Sequence, residues 1–307
     1  MSKTQRKNVV ERQKRIFYTN ITYGCNSNCV FCYSHNTKHT QKTYKEISKE
    51  ILVEYWNRMG VGKNDRIIIN GGEPLLHTKF EEILNATHRY GCEVLVYTNG
   101  RLLNKLNPSL LVSNYRFVVP IHGYEKLHDS ITRVNGSYHE MIEGIKNISE
   151  SKALVDLKII INYQMAVNMD DYSKTVDALL QLPALNAIHI TKMADTIISQ
   201  RNKCLSVTPK MSACCTKNIY ELFKDKYTVK LFDTCIREIV TDSAKVCQSK
   251  HLLKVFFKDV QYEFDVKLKK PYLNCMDTCL YKDICQSAVG EYTVLEAHNG
   301  NFFVGLE

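Results

Sequence analysis

Short apolar runs alternate with amphipathic stretches along the first two thirds of the chain. Over residues 16–191 this pattern predicts a βαβα arrangement, in which helices pack outside a parallel sheet. Six apolar runs predict strands at residues 17–23, 66–70, 93–98, 115–121, 155–163 and 187–191. The stretches between them predict helices at residues 43–56, 80–90, 137–149 and 170–182. In the first helix Ile47, Ile51 and Tyr55 recur every four residues and are predicted to face the core.

The alternation ends after Met193, where the pattern predicts a change of architecture. Residues 195–209 are largely polar, and a helix-like stretch at residues 211–223 is interpreted as part of a linker. Short strand-like runs follow at residues 228–232, 254–257 and 262–266. We therefore expect four parts, which are a basic N-terminal segment (1–15), a strand and helix domain (16–200), a linker helix (201–225) and a smaller C-terminal unit (226–307).

Composition narrows the class of protein. The chain has 307 residues, of which 44% are hydrophobic and 24% charged, as in ordinary globular proteins. It shows no apolar run of membrane-spanning length and no secretory signal, so we expect a cytosolic location without a membrane partner. Cytosolic thiols stay reduced, so the 12 cysteines indicate metal or redox chemistry rather than disulfides. The net charge of +9 fits an anionic substrate, a nucleic-acid surface or simple solubility.

Three cysteines follow the first predicted strand closely. Residues 23–33 are YGCNSNCVFCY, so Cys25, Cys29 and Cys32 fall on a loop at the carboxyl end of the sheet. Barrel active sites occur at that end. Three thiolates can hold three irons of a [4Fe-4S] cluster and leave the fourth iron open to chelate amino and carboxylate groups. The alternative is a structural zinc site completed by His35.

Further motifs lie at the ends of the later strands. Residues 70–74 are NGGEP, where the glycines allow close backbone approach to a ligand and Glu73 can meet an ammonium group. A tight turn alone would also explain the glycines. Residues 97–100 are YTNG, residues 118–123 are VVPIHG, and residues 127–138 are LHDSITRVNGSY.

These motifs together resemble the radical S-adenosylmethionine (AdoMet) superfamily, whose signature is C-x3-C-x2-C with an aromatic residue before the last cysteine, here Phe31. The resemblance implies an α/β fold, a partial (β/α)6 TIM barrel. It also implies a [4Fe-4S] cluster on the three cysteines that cleaves AdoMet reductively to a 5′-deoxyadenosyl radical, which abstracts a hydrogen atom from the substrate. The cofactor-binding residues that it implies are Phe31, Gly71, Gly72, Glu73, Pro74, Asn99, His122, Arg133, Asn162 and Thr191.

Three of these assignments keep alternatives. Arg133 is expected to pair with the AdoMet carboxylate, for which a guanidinium is well shaped, or else to form a surface salt bridge. His122 either contacts the cofactor or is hydrogen-bonded to neighbouring backbone. Pro120 stands where related enzymes have a serine that touches the ribose, so that contact would pass to other residues, with Asn162 and Thr191 as candidates by position.

A second group of cysteines comprises Cys235, Cys247, Cys275, Cys279 and Cys285. Their spacing resembles the C-terminal SPASM or twitch extension of radical AdoMet enzymes, which implies a small α+β domain with an auxiliary [4Fe-4S] cluster. It departs from that pattern in lacking one glycine and the last cysteine, and in a lengthened C-x2-C spacing. Five thiols suffice for one cluster, so four of the five are expected to bind it. A four-cysteine zinc site is the alternative.

Four cysteines remain, namely Cys92, Cys204, Cys214 and Cys215. Cys92 opens a strand and is predicted to be core. Cys214 and Cys215 lie near the junction of the two units, where they are candidate hydrogen-atom donors or unremarkable thiols.

The expected substrate is a ribosomal peptide that undergoes crosslinking, epimerisation or oxidation, because many SPASM and twitch relatives act on such peptides. An electron donor such as flavodoxin or ferredoxin is the expected partner, and nucleic acid is not expected. One alternative is a small-molecule enzyme, either a sugar-alcohol dehydrogenase or a nucleotide-modifying enzyme. The alternative of another class is a zinc-binding RNA adaptor without catalytic activity.

Overall fold

A computed structural model describes most of the chain up to residue 231. The described residues are 15–32, 46–182, 185–193, 205–207 and 209–231, and three later strands are described as backbone only. Among the described residues, no helix combines the length and the apolar character that crossing a membrane would require.

Seven parallel strands form the central sheet in chain order. They are β1 (Ile16–Thr22), β2 (Arg66–Gly71), β3 (Glu93–Tyr97), β4 (Tyr115–Ile121), β5 (Leu154–Ile161), β6 (Leu185–Lys192) and β7 (Thr228–Leu231). The first six agree with the predicted strands to within two residues at each end. The run at residues 228–232 was predicted to open the C-terminal unit, but it pairs in parallel with β6 and extends this sheet.

Three further strands extend the sheet beyond β1, at the edge opposite β7. In order outward from β1 they are β8 (Leu253–Phe257), β9 (Val260–Leu268) and β10 (Gly290–Ala297). β8 runs parallel to β1, whereas β9 and β10 are antiparallel to their neighbours. The strands predicted at residues 254–257 and 262–266 are therefore confirmed as strands.

Seven α-helices are described between and around the strands. They are α1 (Lys49–Arg58), α2 (Phe80–Thr87), α3 (Glu125–Thr132), α4 (Ser137–Ser149), α5 (Tyr163–Val167), α6 (Met169–Leu180) and α7 (Pro209–Phe223). Apolar side chains on both the helices and the strands form one large core between the two layers. This arrangement confirms the α/β class and the prediction of helices outside a parallel sheet.

The structure of α1 contradicts one of the residues predicted to be in the core, Ile51. Ser48 caps α1, and its side chain accepts a hydrogen bond from the Ile51 N–H. The buried face of the helix consists of Leu52, Tyr55 and Trp56, at spacings of three and four residues. Ile51 is 41% exposed, so its prediction as core was wrong. The helix turns its buried side toward Leu52 and Trp56, which leaves Ile51 at the margin.

The opposite face of the sheet is apolar in the centre and charged at the amino ends of the strands. Ile16, Ile68, Leu95 and Val118 form a small core cluster on this inner face. On the same face, ion pairs and hydrogen bonds at 2.6 to 3.5 Å connect six polar side chains on successive strands. These residues, here called the charged ladder, are Arg66, Glu93, Arg116, Asp156, His189 and Lys230. They link β2 through β7 at the end of the sheet opposite the sequence motifs.

Candidate functional site

The loop that follows β1 carries three thiols, and residues 25–32 are here called the cysteine loop. Cys25, Cys29 and Cys32 are partly exposed, and none forms a disulfide bond with a described residue. The Ser27 N–H donates a hydrogen bond to Cys25 Sγ at 3.4 Å. The Cys32 N–H donates to the carbonyl of Cys29 at 3.1 Å and closes a turn. Three accessible thiols therefore lie within eight residues at the carboxyl end of β1.

The end of β2 fixes the start of this loop through main-chain contacts. The Gly72 N–H donates to the Thr22 carbonyl at 2.8 Å, and the Glu73 N–H donates to the Gly24 carbonyl at 2.7 Å. A Cβ atom on Gly72 would lie 2.2 Å from the Gly24 oxygen, and one on Gly71 would lie 2.2 Å from the Thr22 oxygen. Both positions therefore require glycine. The glycines were predicted to allow close approach to a ligand, and in the structure they also allow close approach to the protein's own loop.

Glu73 is 0% exposed and joins the ends of β2 and β3. Its carboxylate accepts hydrogen bonds from Thr98 Oγ1 at 2.7 Å, from the Asn99 N–H at 2.7 Å and from the Leu75 N–H at 3.1 Å. Burial raises the pKa of Glu73, and these hydrogen bonds oppose that rise. Pro74 follows and opens a short 3-10 turn. Glu73 thus has an internal positioning role, and its contact with an ammonium group stays a prediction.

Two side chains at the end of β3 reach across to the cysteine loop. Asn99 Nδ2 donates to Asn26 Oδ1 at 2.7 Å and to Ser27 Oγ at 3.3 Å. Arg101 Nη1 donates to the Asn26 carbonyl, and its Nε pairs with Glu140 Oε2 at 2.5 Å. A role for Asn99 was predicted from the sequence, whereas none was predicted for Arg101. The only local signal for Arg101 was its position directly after the YTNG strand end.

The carboxyl end of α3 contacts the other side of the loop. The Asn28 N–H donates to the Thr132 carbonyl at 3.0 Å, and the Val30 N–H donates to the Ile131 carbonyl at 2.9 Å. Arg133 comes next, with a left-handed φ of +57° and an exposed side chain. The surface salt bridge considered from the sequence is not formed with any residue that the structure describes. The Arg133 guanidinium therefore projects from a segment bonded directly to the cysteine loop.

Asp129 fixes the geometry of the turn that carries Arg133. Its carboxylate accepts hydrogen bonds from the Gly136 N–H at 2.6 Å, from Ser137 Oγ at 2.8 Å and from the Tyr138 N–H at 2.9 Å. Burial alone would raise the pKa of Asp129, but these hydrogen bonds outweigh it and hold the pKa below its usual value. Asp129 thereby ties the two ends of the turn together. No role for this aspartate was predicted from the sequence, although the run that contains it was singled out.

Phe31 and His122 form a ring contact beside the loop. Their ring centroids lie 4.9 Å apart in an edge-to-face arrangement. His122 is buried, and burial lowers its pKa well below the usual value. Its Nδ1 has no hydrogen-bond partner among the described residues, so the ring is not bonded to neighbouring backbone as one interpretation expected. The structure therefore brings His122 to the cysteine loop, and its contact with a cofactor stays a prediction.

The two residues proposed for the ribose are buried. Asn162 caps α5, since its Oδ1 accepts from the Met165 N–H at 3.1 Å, and its Nδ2 donates to the His122 carbonyl at 2.7 Å. Thr191 lies on the inner face of β6, where its Oγ1 donates to the Lys192 carbonyl at 3.1 Å. The structure therefore shows a role in the fold for Asn162, and the ribose contacts of both residues remain untested.

The remaining described thiols are Cys92, Cys214 and Cys215. Cys92 is fully buried, and burial raises its pKa to about 11, which confirms the prediction of a core cysteine. Cys214 is exposed and Cys215 is half-buried on α7. The side chain of Cys215 packs against the core between helices and sheet, and burial raises its pKa. Their role as hydrogen-atom donors stays a prediction.

The side chains around the cysteine loop can be compared with the two predicted metal sites, a [4Fe-4S] cluster and a structural zinc ion. Several of the residues concerned lie outside the described residues, namely His35, Cys235, Cys247, Cys275, Cys279 and Cys285. Within the described ranges, no three His, Cys, Asp or Glu side chains converge on a single-ion position. A four-iron cluster does not need such convergence, because each thiolate binds a different iron. The accessible thiols, the N–H donor to Cys25 Sγ and the nearby Arg133 guanidinium therefore fit a cluster that also binds an anionic ligand.

Comparison with known proteins places these features in a family. Residues 19–179 match the radical SAM superfamily. The chain is 30% identical over 161 residues to a probable GTP 3′,8-cyclase of Methanocella arvoryzae, covering 51% of this chain and 50% of that protein. It is 26% identical over 159 residues to the sporulation killing factor maturation protein SkfB of Bacillus subtilis, covering 51% and 37%. The chain thus spans half or less of the length of these relatives.

A solved structure shows the same fold over most of the chain. The protein anSMEcpe, solved with bound AdoMet and the Kp18Cys peptide, superposes with a TM-score of 0.64 at 15% identity. The match covers 90% of this chain and 89% of that one. The family match extends over more than half of the chain and includes the cysteine loop, the NGGEP strand end and the Arg133 turn. On these grounds the protein belongs to the radical SAM superfamily, whose members use a [4Fe-4S] cluster and AdoMet.

Proposed function

We propose that this protein is a radical SAM enzyme that modifies a ribosomally made peptide. In this proposal Cys25, Cys29 and Cys32 would hold a [4Fe-4S] cluster, which would supply the electron that cleaves AdoMet reductively to methionine and the hydrogen-abstracting 5′-deoxyadenosyl radical. The observation that carries the proposal is the fixation of the cysteine loop from three sides, by the end of β2, the end of β3 and the end of α3. A loop fixed in this way is preorganised for a ligand.

The residues around the loop have distinct tasks in this proposal. The Arg133 guanidinium binds the carboxylate of AdoMet, for which its planar fork is suited. The backbone of Gly71 and Gly72 lines the methionyl part, because no side chain there blocks the approach. Phe31 and His122 exclude water from one side of the loop through their packed rings. Exclusion of water protects a reactive radical from side reactions.

Two comparisons support a peptide substrate. SkfB is named as a maturation protein, and anSMEcpe was solved with a bound peptide. The substrate of the present protein would be a precursor peptide, and its modification would be a crosslink, an epimerisation or an oxidation. We further propose that four of the five cysteines at positions 235, 247, 275, 279 and 285 bind an auxiliary [4Fe-4S] cluster, with zinc as the alternative. Flavodoxin or ferredoxin would supply the electron in the cytosol.

A nucleotide is the second candidate substrate. It is favoured by the similarity to a probable GTP 3′,8-cyclase.

Metal analysis tests the proposed chemistry. The protein would be purified under anaerobic conditions and analysed for iron, sulfide and zinc, then reduced with dithionite and assayed for 5′-deoxyadenosine from AdoMet. We expect about eight irons per chain and 5′-deoxyadenosine formation, from two four-iron clusters. The Cys29→Ala variant should lose about half of the iron and all AdoMet cleavage. Zinc without AdoMet cleavage in the wild-type protein would refute the proposal and support the RNA adaptor.

A comparison of the two candidate substrates in the same assay then distinguishes between them. The rate of 5′-deoxyadenosine formation would be compared with GTP and with peptides encoded by short reading frames next to the gene. We expect stimulation and a mass change in a peptide, with none in GTP. Conversion of GTP without any change in the peptides would favour the nucleotide alternative.

A further inference from the structure

Arg101 places a permanent positive charge beside the cysteine loop. Its side chain is only 12% exposed. Nη1 donates to the carbonyl of Asn26, which lies between Cys25 and Cys29 in the chain, and also to Ser27 Oγ at 3.4 Å. A guanidinium does not lose its proton in proteins, so this charge is present at every accessible pH.

Glu140 partly balances that charge from the other side. Its Oε2 accepts from Arg101 Nε at 2.5 Å, and its side chain is 45% exposed on α4. Water screens the exposed carboxylate more than it screens the buried guanidinium. A net positive field from the pair therefore remains at the cysteine loop.

We propose that Arg101 is a positioning residue of the cysteine loop whose charge, moderated by Glu140, raises the reduction potential of the cluster bound there. The inference rests on the proposed function, because it needs a redox-active cluster on the loop. Reduction by one electron from an external reductant such as dithionite adds one negative charge to the cluster. A nearby cation stabilises that added charge, and net charge around a cluster is one determinant of its potential.

Opposite charge changes distinguish this role from a purely structural one. Arg101→Gln removes the cation and should lower the potential, whereas Glu140→Gln removes the counter-charge and should raise it. Arg101→Lys keeps the charge and should stay near the wild-type potential, although it loses the guanidinium fork. A structural disturbance of the loop has no reason to change sign between Arg101→Gln and Glu140→Gln.

Arg15 offers a matched control at the other end of the sheet. It donates to the carbonyls of Met59 at 2.9 Å and Gly60 at 2.7 Å, and it pairs with Asp65 at 2.6 Å. It precedes β1, whereas the cysteine loop follows that strand. Seven strand residues at about 3.3 Å each put them roughly 20 Å apart. Arg15→Gln therefore removes a similar set of contacts without a charge change near the loop.

The experiment is an anaerobic redox titration of the full chain, monitored by electron paramagnetic resonance without AdoMet or substrate. The signal that disappears in Cys29→Ala identifies the cluster on the cysteine loop. For Arg101→Gln we expect a tenfold shift in the one-electron equilibrium, about 59 mV toward lower potential. Glu140→Gln should shift it upward by a smaller amount, and Arg15→Gln should leave it unchanged.

The possible results distinguish a failure of the proposed function from a failure of the role proposed for Arg101. Absence of iron from the wild-type protein would refute the proposed function itself. A bound cluster whose potential is the same in wild type, Arg101→Gln and Glu140→Gln, or moves in one direction in both variants, would overturn the role of Arg101 alone. If Arg101→Gln fails to bind iron, the upward shift in Glu140→Gln and the wild-type value in Arg101→Lys decide the question.

Discussion

The two ends of the central sheet are built in different ways. At the amino end, side-chain charges connect the strands, with Arg15 paired to Asp65 and the charged ladder running from β2 to β7. At the carboxyl end, main-chain hydrogen bonds and the buried Glu73 carboxylate make the connections, and Gly71 and Gly72 lie so close to the loop after β1 that no side chain fits.

This difference separates stability from the candidate site. The carboxylates of Asp65 and Asp156 at the amino end are buried, and each forms an ion pair within the fold, Asp65 with Arg15 and Asp156 with Lys230. The carboxyl end instead leaves three thiols and the Arg133 guanidinium accessible on a fixed backbone. Substitutions at the amino end should therefore reduce stability and spare the site, whereas substitutions at the carboxyl end should disable the site. Four predictions examine this contrast, from the largest expected effect to the smallest.

The largest effect is expected from Gly72→Ala. The new methyl group would lie 2.2 Å from the Gly24 carbonyl oxygen, so the cysteine loop must move away from β2. We expect loss of most of the iron bound by the loop and destabilisation of about 4 kcal/mol, the range of severe backbone conflicts. Iron analysis and urea unfolding measure both. Gly62→Ala is the control, since a Cβ atom there meets no atom within 4 Å. Wild-type iron content in Gly72→Ala would contradict this account of the loop.

The next effect belongs to the amino end of the sheet. Asp65→Asn removes the partner of Arg15 and weakens the bond from the Gly62 N–H at 2.9 Å. Removing one partner of a buried ion pair typically lowers the free energy of unfolding by about 3 kcal/mol, which urea unfolding would detect. Iron content should stay at the wild-type value. The exposed Asp170→Asn serves as the control with little effect. Loss of iron in Asp65→Asn at unchanged stability would remove the distinction between the two ends.

Acid should weaken the charged ladder. Desolvation raises the pKa of the buried Asp156. His189, Lys230 and Asn186 lower it by more, so that the pKa is about 2. A carboxyl group with a lowered folded-state pKa stabilises the protein above its unfolded-state pKa, near 4, and that contribution is lost as the pH falls toward 2. A shift of this size corresponds to about 2 kcal/mol. The stability difference between wild type and Asp156→Asn should therefore shrink between pH 5 and pH 3. A difference that stays constant over that range would rule out this explanation.

The smallest effect on stability is expected at Arg133. Its side chain is exposed and forms no salt bridge with a described residue, so Arg133→Gln should change the free energy of unfolding by less than about 0.5 kcal/mol. The affinity of the anaerobically reconstituted protein for AdoMet should nevertheless fall at least about tenfold, since a charge-assisted pair is lost. Equilibrium dialysis measures this affinity, with Arg58→Gln as an exposed control. Unchanged affinity would remove Arg133 from the AdoMet site.

Most strands of this fold could be predicted from local pattern. Parallel strands are buried on both faces and therefore appear as continuous apolar runs, as at residues 66–70 and 115–121. β7 was assigned to the wrong unit because a four-residue strand carries no information about its neighbour. Its pairing with β6 is determined only when the sheet assembles. Ile51 was misplaced because a spacing of four residues fits more than one rotation of a helix, and packing selects among them.

The candidate site divides in the same way. The three cysteines, the paired glycines and Arg133 could be singled out because their residue types and spacings carry the chemistry directly. Arg101 and Asp129 could not, because their roles depend on contacts. Arg101 meets Asn26 from 75 positions further along the chain, and only the register of β1 to β3 brings them together.

The sequence by itself determined the class of fold, the family and the loop that carries the thiols, since these depend on residue type and short spacing. Tertiary structure alone decided how that loop is fixed and which charges lie beside it. The reason is that hydrogen bonds and ion pairs act over a few ångströms in space. Residues far apart in the chain acquire such neighbours only after the sheet has formed.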